Sequence, residues 1–238
     1  MVVGVAVTFA ALTTAAVACS WWVPRRALFE IGLGCWPLWR VPGGVALTFD
    51  DGPDPRFTPK LLDALRAFHT TVTFFVSTSL AVRHPSIVRR AHAEGHAIGC
   101  HAMTHTPLAF RSRETLHRQV SDAVRGLEDV LGDSVSLFRP PYGIRSPGLH
   151  RILRSEGLRP VYWSVMAFDW RVRSSKAIAE RVLRGARPGA IVLLHDGGGD
   201  RSATVEAVPV VLDTLRGGGI PCVRLNGGER RDEFAMPA

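Results

Sequence analysis

From residue 45 onward, short apolar runs alternate with longer amphipathic stretches. Short apolar runs bounded by turn formers are typical of buried strands, and apolar residues spaced three or four apart are typical of helices. Their alternation predicts parallel strands joined by crossover helices. We predict seven strands, at Val45–Phe49, Thr71–Val76, Ala97–Cys100, Ser134–Phe138, Pro160–Ser164, Ala190–Leu194 and Pro221–Leu225.

The amphipathic stretches between these strands predict six helices, at Thr58–Phe68, Pro85–Glu94, Ser112–Leu131, Pro147–Glu156, Ser175–Arg187 and Thr204–Leu215. Glycines are common just past helix ends, where the backbone turns left-handed. Four of the predicted helices end at such a residue: Gly95, Gly132, Gly157 and Gly217.

This repeat forms either a barrel or an open doubly wound sheet. The polar motifs follow the strands, as in parallel barrels, whose active sites lie at the carboxyl ends of the strands. No glycine-rich dinucleotide turn follows the first strand. We therefore predict an α/β fold, a (β/α) barrel, in one catalytic domain over residues 45–228, with a linker at 25–44 and a C-terminal tail at 229–238. The 238 residues, 46% of them apolar, suit one sizeable core.

Residues 1–24 carry no charge, and about 20 apolar residues suffice to cross a bilayer as a helix. Three outcomes compete: an uncleaved anchor, a signal peptide cut after Ala18, and lipid attachment at Cys19. We favour the anchor, because the basic start of a secretory signal is missing. We expect a membrane-anchored or exported protein with an extracytoplasmic catalytic domain, although Arg25 and Arg26 would favour the cytoplasmic side.

The formal net charge of +8 comes almost wholly from scattered arginines. This excess indicates a general affinity for anionic polymers or membrane surfaces. We expect no nucleic-acid partner, because no basic stretch is interleaved with aromatic residues. We expect a monomer. The four cysteines show no CxxC spacing and are too few for a disulfide scaffold.

Two adjacent carboxylates, Asp50 and Asp51, end the first predicted strand, which Gly52 and Pro53 then break. Consecutive side chains leaving a strand point in different directions. One carboxylate can therefore bind a metal while the other contacts a water that the metal activates. The DDGP sequence alone is equally typical of a polar turn.

His101 and His105 lie four residues apart in the sequence HAMTH. One helical turn would bring both imidazoles to the same side, and Pro107 limits that turn to a short one. With Asp51 the pair would supply three ligands and leave positions open for water and substrate, as in catalytic zinc sites. A chance pair of surface histidines is the alternative, since the chain has nine histidines.

The sequence FRPPYG directly follows the fourth predicted strand. Its Arg139 could pair with a strand-end carboxylate such as Asp50, holding it ionised and directed at the water. Its prolines would stiffen the loop, so that a backbone N–H there faces a developing oxyanion. A rigid loop with a solvated arginine is the alternative.

His195 follows the sixth predicted strand and can act as a general acid toward a departing amine. A carboxylate such as Asp169 could orient and charge it, with Asp196 and Asp200 as rival partners. Trp170 would form an apolar wall or a sugar-stacking surface, unless it is a core residue.

Two further residues are candidates for substrate contacts. Leu194 would line a small pocket for a methyl group. We also assign Pro141 to substrate binding, within the stiffened loop.

Taken in order, TFDDGP, HAMTH, RPPYG, DW and LHD resemble the five motifs of the NodB-type polysaccharide deacetylases. The resemblance covers roughly residues 45–225. It implies a distorted, incomplete (β/α) barrel and a divalent metal, first of all zinc, with cobalt, nickel or manganese as alternatives. It also implies removal of acetyl groups from amino sugars or acetylated glycans.

Carried over by position, the resemblance implies a role for each motif residue. The metal ligands would be Asp51, His101 and His105. Asp50 would be the general base, steadied by Arg139. The backbone of Tyr142 would donate to the oxyanion. His195 would be the general acid, tuned by Asp169. The acetyl pocket would be shaped by Trp170 and Leu194.

The chain departs from the family pattern at two positions. Ala102 stands where the family usually has Ser or Thr, which removes a hydroxyl that could support the ligands. Met166 replaces a residue that many relatives keep polar or acidic. Neither change removes a proposed ligand, base or acid, so we expect activity.

The sequence therefore predicts a metal-dependent hydrolase that removes N-acetyl groups from N-acetylglucosamine units of a glycan, with peptidoglycan as the first candidate and chitin-like polymers as the second. An esterase that removes O-acetyl groups from xylan would use the same residues. A catalytically silent, glycan-binding relative is the alternative from another class.

Overall fold

The computed structural model describes residues 40–108, 111–145 and 147–226. Within these residues, seven parallel strands form one sheet: β1 Ala46–Asp50, β2 Thr73–Val76, β3 Ala97–Cys100, β4 Leu137–Phe138, β5 Arg159–Pro160, β6 Val165–Met166 and β7 Ile191–His195. Their order in the sheet is β5-β4-β3-β2-β1-β7-β6. The edge strands β5 and β6 do not pair with each other in the described residues, so the barrel is incomplete, as predicted.

In the described part of the chain, seven α-helices flank the sheet: α1 Thr58–Ala67, α2 Thr78–Arg83, α3 Pro85–Ala93, α4 Arg113–Leu131, α5 Pro147–Ser155, α6 Ser175–Gly185 and α7 Ser202–Gly217. The ends of α4 show why these stretches are helical. The Ser112 hydroxyl accepts a hydrogen bond from the Thr115 amide, and Gly132 ends the helix with φ +70°. All six predicted helices are present, with ends that differ by at most two residues.

The predicted strands Ser134–Phe138 and Pro160–Ser164 are reduced to the two-residue strands β4 and β5, and three further elements differ from the prediction. Helix α2 was not predicted, because six residues are too few to show a helical period. The predicted strand Pro221–Leu225 is reduced to one bridge between Cys222 and Val45. The seventh strand is instead β6, a two-residue edge strand whose length carries no pattern.

The strands separate two apolar layers. An outer core, between the sheet and the helices, takes Leu47 and Phe49 from β1 and Leu194 from β7. An inner core contains no helical residue and takes Ala46 from β1 and Ile191 from β7. Because side chains alternate along a strand, every second residue of β1 and β7 faces the inside of the half-barrel.

The predicted N-terminal segment at 1–24, most of the linker and the C-terminal tail lie outside the described residues. Within residues 40–226, leaving aside the gaps at 109–110 and 146, no helix has both the length and the apolar character needed to cross a bilayer.

Candidate active site

A pocket of about 700 Å³ opens at the carboxyl ends of the strands. Asp50 is the last residue of β1 and His195 the last of β7, while His101 directly follows β3 and Arg139 directly follows β4. Parallel strands bring their carboxyl ends to the same edge, so residues far apart in sequence meet there.

Asp51, His101 and His105 form the floor of this pocket. One ligand atom from each lies within 4.8 Å of the others. The Nε2 atoms of His101 and His105 each lie 3.4 Å from Asp51 Oδ1. His101 Nδ1 lies 2.7 Å from the Arg139 carbonyl oxygen, which can only accept, so Nδ1 carries the proton and the Nε2 lone pair faces the cluster.

These three residues fit a divalent cation. Two ligands about 2.1 Å from one ion at a tetrahedral angle lie about 3.4 Å apart, which matches both imidazole–carboxylate distances. Asp51 Oδ1 is buried without an aligned hydrogen-bond donor among the described residues. Burial alone would raise the pKa of Asp51, but a hydrogen bond and positive charge from His101, and the charge of His105, lower it to about 2 when these rings are protonated. The carboxylate is therefore ready to bind a cation.

Several loop residues around the pocket have a left-handed backbone. Non-glycine residues rarely adopt positive φ, and such strain concentrates at functional sites. Four of the five described cases lie at or next to the pocket: Asp51, Ala102, Tyr142 and Phe168. The predicted helical turn over His101 and His105 is wrong, because Ala102 at φ +65° interrupts it, yet the two ring centroids still lie 5.2 Å apart.

Asp50 is held by Arg139 beside the metal-ligand cluster. Arg139 Nη1 donates to Asp50 Oδ1 and to Thr48 Oγ1, each at 2.7 Å. The guanidinium is fully buried and stacks on the Phe75 ring, 4.1 Å from its centroid. This arrangement fixes Asp50 and leaves its Oδ2 atom 3.9 Å from His101 Nε2.

His195 lies beside Asp50 across the β1–β7 strand pair and pairs with Asp169. Asp169 Oδ1 is 2.8 Å from His195 Nδ1, and Thr204 Oγ1 donates to Asp169 Oδ2. Although burial alone would lower the pKa of His195, the hydrogen bond and charge of Asp169 raise it. The proposed rivals are not partners, since Asp200 is exposed and accepts from Ser202 while Asp196 faces Thr58.

Asp196 is a buried carboxyl group beneath the loop that follows β1. Thr58 Oγ1 donates to its Oδ2 atom at 2.6 Å, and its Oδ1 atom has no partner among the described residues. A side chain at Gly52 would collide with this carboxyl group, so glycine is required there. Burial raises the pKa of Asp196 to about 7.

Three exposed aromatic residues surround the pocket: Tyr142, Phe168 and Trp170. Tyr142 packs on His105 with ring centroids 4.3 Å apart. Trp170 contacts His195 edge-on, at 5.1 Å, and also contacts Phe168. Trp170 is therefore at the pocket rather than in the core, and Phe168 joins it there without having been singled out from the sequence.

Two predicted substrate contacts need correction. Leu194 lies in the outer core, only 1% exposed, and its neighbour Leu193 lines the pocket instead. Because side chains alternate along a strand, Leu193 lies on the same face of β7 as His195, and Leu194 lies on the opposite face. Pro141 is buried and does not line the pocket, whereas Tyr142 next to it does.

The two departures from the family pattern also lie at the site. Ala102 is buried, and its carbonyl accepts from the Thr78 amide at 3.1 Å. Met166 lines the pocket, which makes that wall apolar. Cys100, next to His101, points into the outer core, where burial raises the pKa of its thiol to about 12.

Comparison with known proteins identifies the class. The sequence profile described as polysaccharide deacetylase matches residues 40–161. The chain also shares 38% identity over 183 residues with a peptidoglycan-N-acetylglucosamine deacetylase of Bacillus cereus, covering 75% of this chain and 85% of that protein. The chain belongs to the polysaccharide deacetylase family and is an enzyme of that class.

Other relatives extend the comparison beyond residue 161. A chitooligosaccharide deacetylase of Azorhizobium caulinodans is 37% identical over 187 residues, covering 74% of this chain and 89% of that protein. A crystal structure of a peptidoglycan N-acetylglucosamine deacetylase superposes with a TM-score of 0.76 at 34% identity, covering 79% of this chain and 89% of that one.

The fold alone does not establish activity. A family 4 carbohydrate esterase pseudoenzyme from Bacillus anthracis shares this fold with a TM-score of 0.74 at 23% identity, covering 79% of this chain and 67% of that one. The individual residues of the pocket therefore have to carry the functional argument.

Proposed function

We propose that this enzyme removes the acetyl group from N-acetylglucosamine units of a glycan, with peptidoglycan as its substrate. The observation that carries the proposal is the arrangement of the pocket. One pocket brings three candidate metal ligands together with a carboxylate fixed by an arginine and an imidazole fixed by a carboxylate. The pocket therefore provides a proton acceptor and a proton donor beside one candidate metal site.

Asp51, His101 and His105 would hold a divalent metal, and zinc suits two imidazoles and one carboxylate best. The bound metal would polarise the acetyl carbonyl and lower the pKa of water. Asp50, oriented by Arg139, would accept the proton of the attacking water. The backbone N–H of Tyr142, in the loop after β4, would donate to the oxyanion.

His195 would complete the reaction by protonating the departing nitrogen. Its Nδ1 atom is occupied by Asp169, so Nε2 is the ring atom available to the substrate. The raised pKa of His195 keeps its protonated form populated to higher pH than that of a free histidine. Leu193, Trp170 and Met166 would provide apolar surface for the acetyl methyl group.

The substrate assignment is supported by the names of the relatives. The proteins from Bacillus cereus and Azorhizobium caulinodans are named for acetylated amino sugars, in peptidoglycan and in chitooligosaccharide. Both substrates contain the same acetamide. The aromatic rim of Tyr142, Phe168 and Trp170 offers surfaces on which sugar rings can pack.

A substrate panel tests this proposal. The purified full-length chain is incubated with muropeptides, chitin oligomers and acetylated xylan, with and without a chelator, and acetyl loss is followed by mass spectrometry. We expect zinc-dependent loss of 42 Da per sugar, about the mass exchanged when acetyl becomes hydrogen, from the muropeptides. Acetyl loss from xylan alone would show that the enzyme is an esterase and not an amidase. No loss from any substrate would favour a catalytically silent glycan-binding protein.

We further propose that residues 1–24 attach the enzyme to the membrane with the catalytic domain outside the cytoplasm, because this uncharged stretch is long enough to span the bilayer. Cell fractionation tests this. We expect the full chain in the membrane fraction and a chain lacking residues 1–24 in the soluble fraction. Equal distribution of both chains would contradict the anchor.

A further inference from the structure

Arg201 is a buried cation at the start of helix α7. Its side chain lines the pocket although the residue is only 4% exposed. The guanidinium donates to three backbone carbonyls, from Nε to Gly197 at 2.7 Å, from Nη2 to Gly198 at 2.9 Å and from Nη1 to Asp200 at 3.3 Å. No carboxylate forms an ion pair with it among the described residues.

A buried guanidinium without a counterion is costly to desolvate unless hydrogen bonds satisfy it. Two of these bonds go to the turn Gly197–Gly199 between β7 and α7. The third goes to Asp200, which directly follows the turn. Arg201 therefore ties that turn to the first residues of α7. The planar guanidinium can bind three carbonyls in fixed directions, which a lysine ammonium cannot reproduce.

The turn Gly197–Gly199 packs directly on Asp51. A side chain at Gly197 would collide with the Asp51 carbonyl oxygen. A Cβ atom at Gly198, where φ is +71°, would lie 3.0 Å from Asp51 Oδ2. The absence of side chains thus lets the turn support both the backbone and the carboxylate of Asp51. Asp51 needs such support, because its own φ of +69° is unfavourable for aspartate.

We propose that Arg201 is a positioning residue that holds the Gly197–Gly199 turn against Asp51 and so pre-organises this carboxylate for metal binding. The inference rests on the proposed function, which makes Asp51 a metal ligand. Arg201 itself contacts neither metal nor substrate in this proposal. Outer partners of metal ligands commonly change metal affinity by 10- to 100-fold when removed.

The test measures zinc affinity without substrate. The metal-free full-length chain and its R201A and R201K variants are titrated with zinc by calorimetry. We expect R201A to bind zinc about 10- to 100-fold more weakly. R201K should also be weakened, because one ammonium cannot bind all three carbonyls. Guanidinium added at low millimolar concentration should restore part of the affinity of R201A, since it can refill the vacated site.

A matched control separates positioning from general destabilisation. Val208 is buried on the same helix, α7, and V208A removes apolar packing without touching the turn. We expect V208A to lower the unfolding temperature and leave zinc affinity unchanged. Wild-type affinity in R201A, or an equal loss of affinity in V208A, would overturn the role of Arg201. A wild-type chain that binds no zinc would instead overturn the metal site, and the inference with it.

Discussion

Asp169 binds His195 at two points. Its Oδ1 atom lies 2.8 Å from the ring nitrogen Nδ1, and its Oδ2 atom accepts the His195 backbone N–H, also at 2.8 Å. One carboxylate therefore fixes both the imidazole and the end of β7 that carries it. Thr204 from α7 donates to the same Oδ2 atom and fixes the carboxylate in turn.

This pairing predicts the pH dependence of the enzyme. Burial opposes the protonated form of His195, but Asp169 raises its pKa above that of free histidine. The protonated donor is therefore present below the raised pKa and is lost as pH rises through it. D169N removes the charge and lowers this pKa. We expect the alkaline limb of the kcat/KM profile to move to lower pH, with activity at neutral pH reduced by about 10²-fold or more.

The control for this prediction is T204V. It removes one hydrogen bond to Asp169 but keeps the charge, so the alkaline limb should move much less than in D169N. The pH profiles of all three proteins are measured with saturating zinc. An alkaline limb that stays in place in D169N would show that His195 is not the acid that limits the rate.

Replacing Asp50 by asparagine separates proton transfer from metal binding. Asp50 accepts a hydrogen bond from Arg139, which also donates to Thr48. Asp50 is not one of the three clustered candidate ligands. We expect D50N to keep its zinc affinity and to lose about 10²- to 10⁴-fold in kcat, the usual contribution of a general base. The matched control is D54N, the same chemical change at a residue outside the pocket lining. Unchanged acetate release in D50N would remove the assigned base.

The positions of the long elements could be predicted from the sequence because each carries a repeated pattern. Helix α4 and strand β1 show this, since α4 buries residues three or four apart and β1 is a continuous run of buried residues. The two-residue strand β6 and the six-residue helix α2 carry no such pattern and depend on tertiary contacts. The bridge at Cys222 likewise shows that an apolar run can pack at the sheet edge without extending a strand.

The motif residues of the site could also be predicted, because metal ligands and acid–base groups need particular side chains. Their supports could not. Thr204 reaches Asp169 from a helix 35 residues later, and nothing in the local sequence marks it. Nothing in the sequence distinguishes Arg201 from the other arginines, because its role depends on the turn that it binds in the folded chain. Leu193 is different, since its position two residues before His195 on one strand predicts that both side chains face the same side.

Removing His105 or His101 should abolish the stabilisation by zinc, but only the loss of His101 should also destabilise the metal-free protein. His105 is partly exposed, with 34% of its side chain accessible, whereas His101 is buried and bonded to the Arg139 carbonyl. We expect zinc at 100 times its dissociation constant to stabilise the wild type by about 2.7 kcal/mol. H105A should lose this shift with little change in the metal-free protein.

H101A should lose the zinc shift and also destabilise the metal-free protein by about 1–3 kcal/mol, because it leaves a buried carbonyl unsatisfied. Urea unfolding with chelator or with zinc measures both quantities. A zinc-dependent shift that survives in both variants would place the metal elsewhere.

Asp196 predicts a second pH effect, on stability rather than rate. Its pKa is about 7 in the folded protein, raised by burial from 3.8. The stabilisation from its protonated form is complete below about pH 4 and is lost as pH rises through about 7. Asparagine does not titrate, so metal-free D196N should gain stability relative to the wild type over this range, by up to about 4 kcal/mol.

Urea unfolding at a series of pH values, with chelator present, measures this difference. D133N, which changes an exposed carboxylate, should follow the wild type across the range. A constant difference between D196N and the wild type from pH 4 to pH 8 would mean that Asp196 does not titrate there.

Leu193 and Leu194 provide the sharpest comparison between the pocket and the core. They are neighbours on β7 with nearly equal burial, but Leu193 lines the pocket and Leu194 packs in the outer core. L194A should destabilise the protein by about 2–5 kcal/mol, as for other buried leucines, and leave kcat/KM of the folded enzyme nearly unchanged. L193A should lower kcat/KM by about 10-fold or more, because the acetyl methyl loses an apolar contact worth about 1–3 kcal/mol. The test measures kcat/KM of both variants below their unfolding temperatures. A larger loss of kcat/KM in L194A than in L193A would show that Leu194, and not Leu193, contacts the acetyl group.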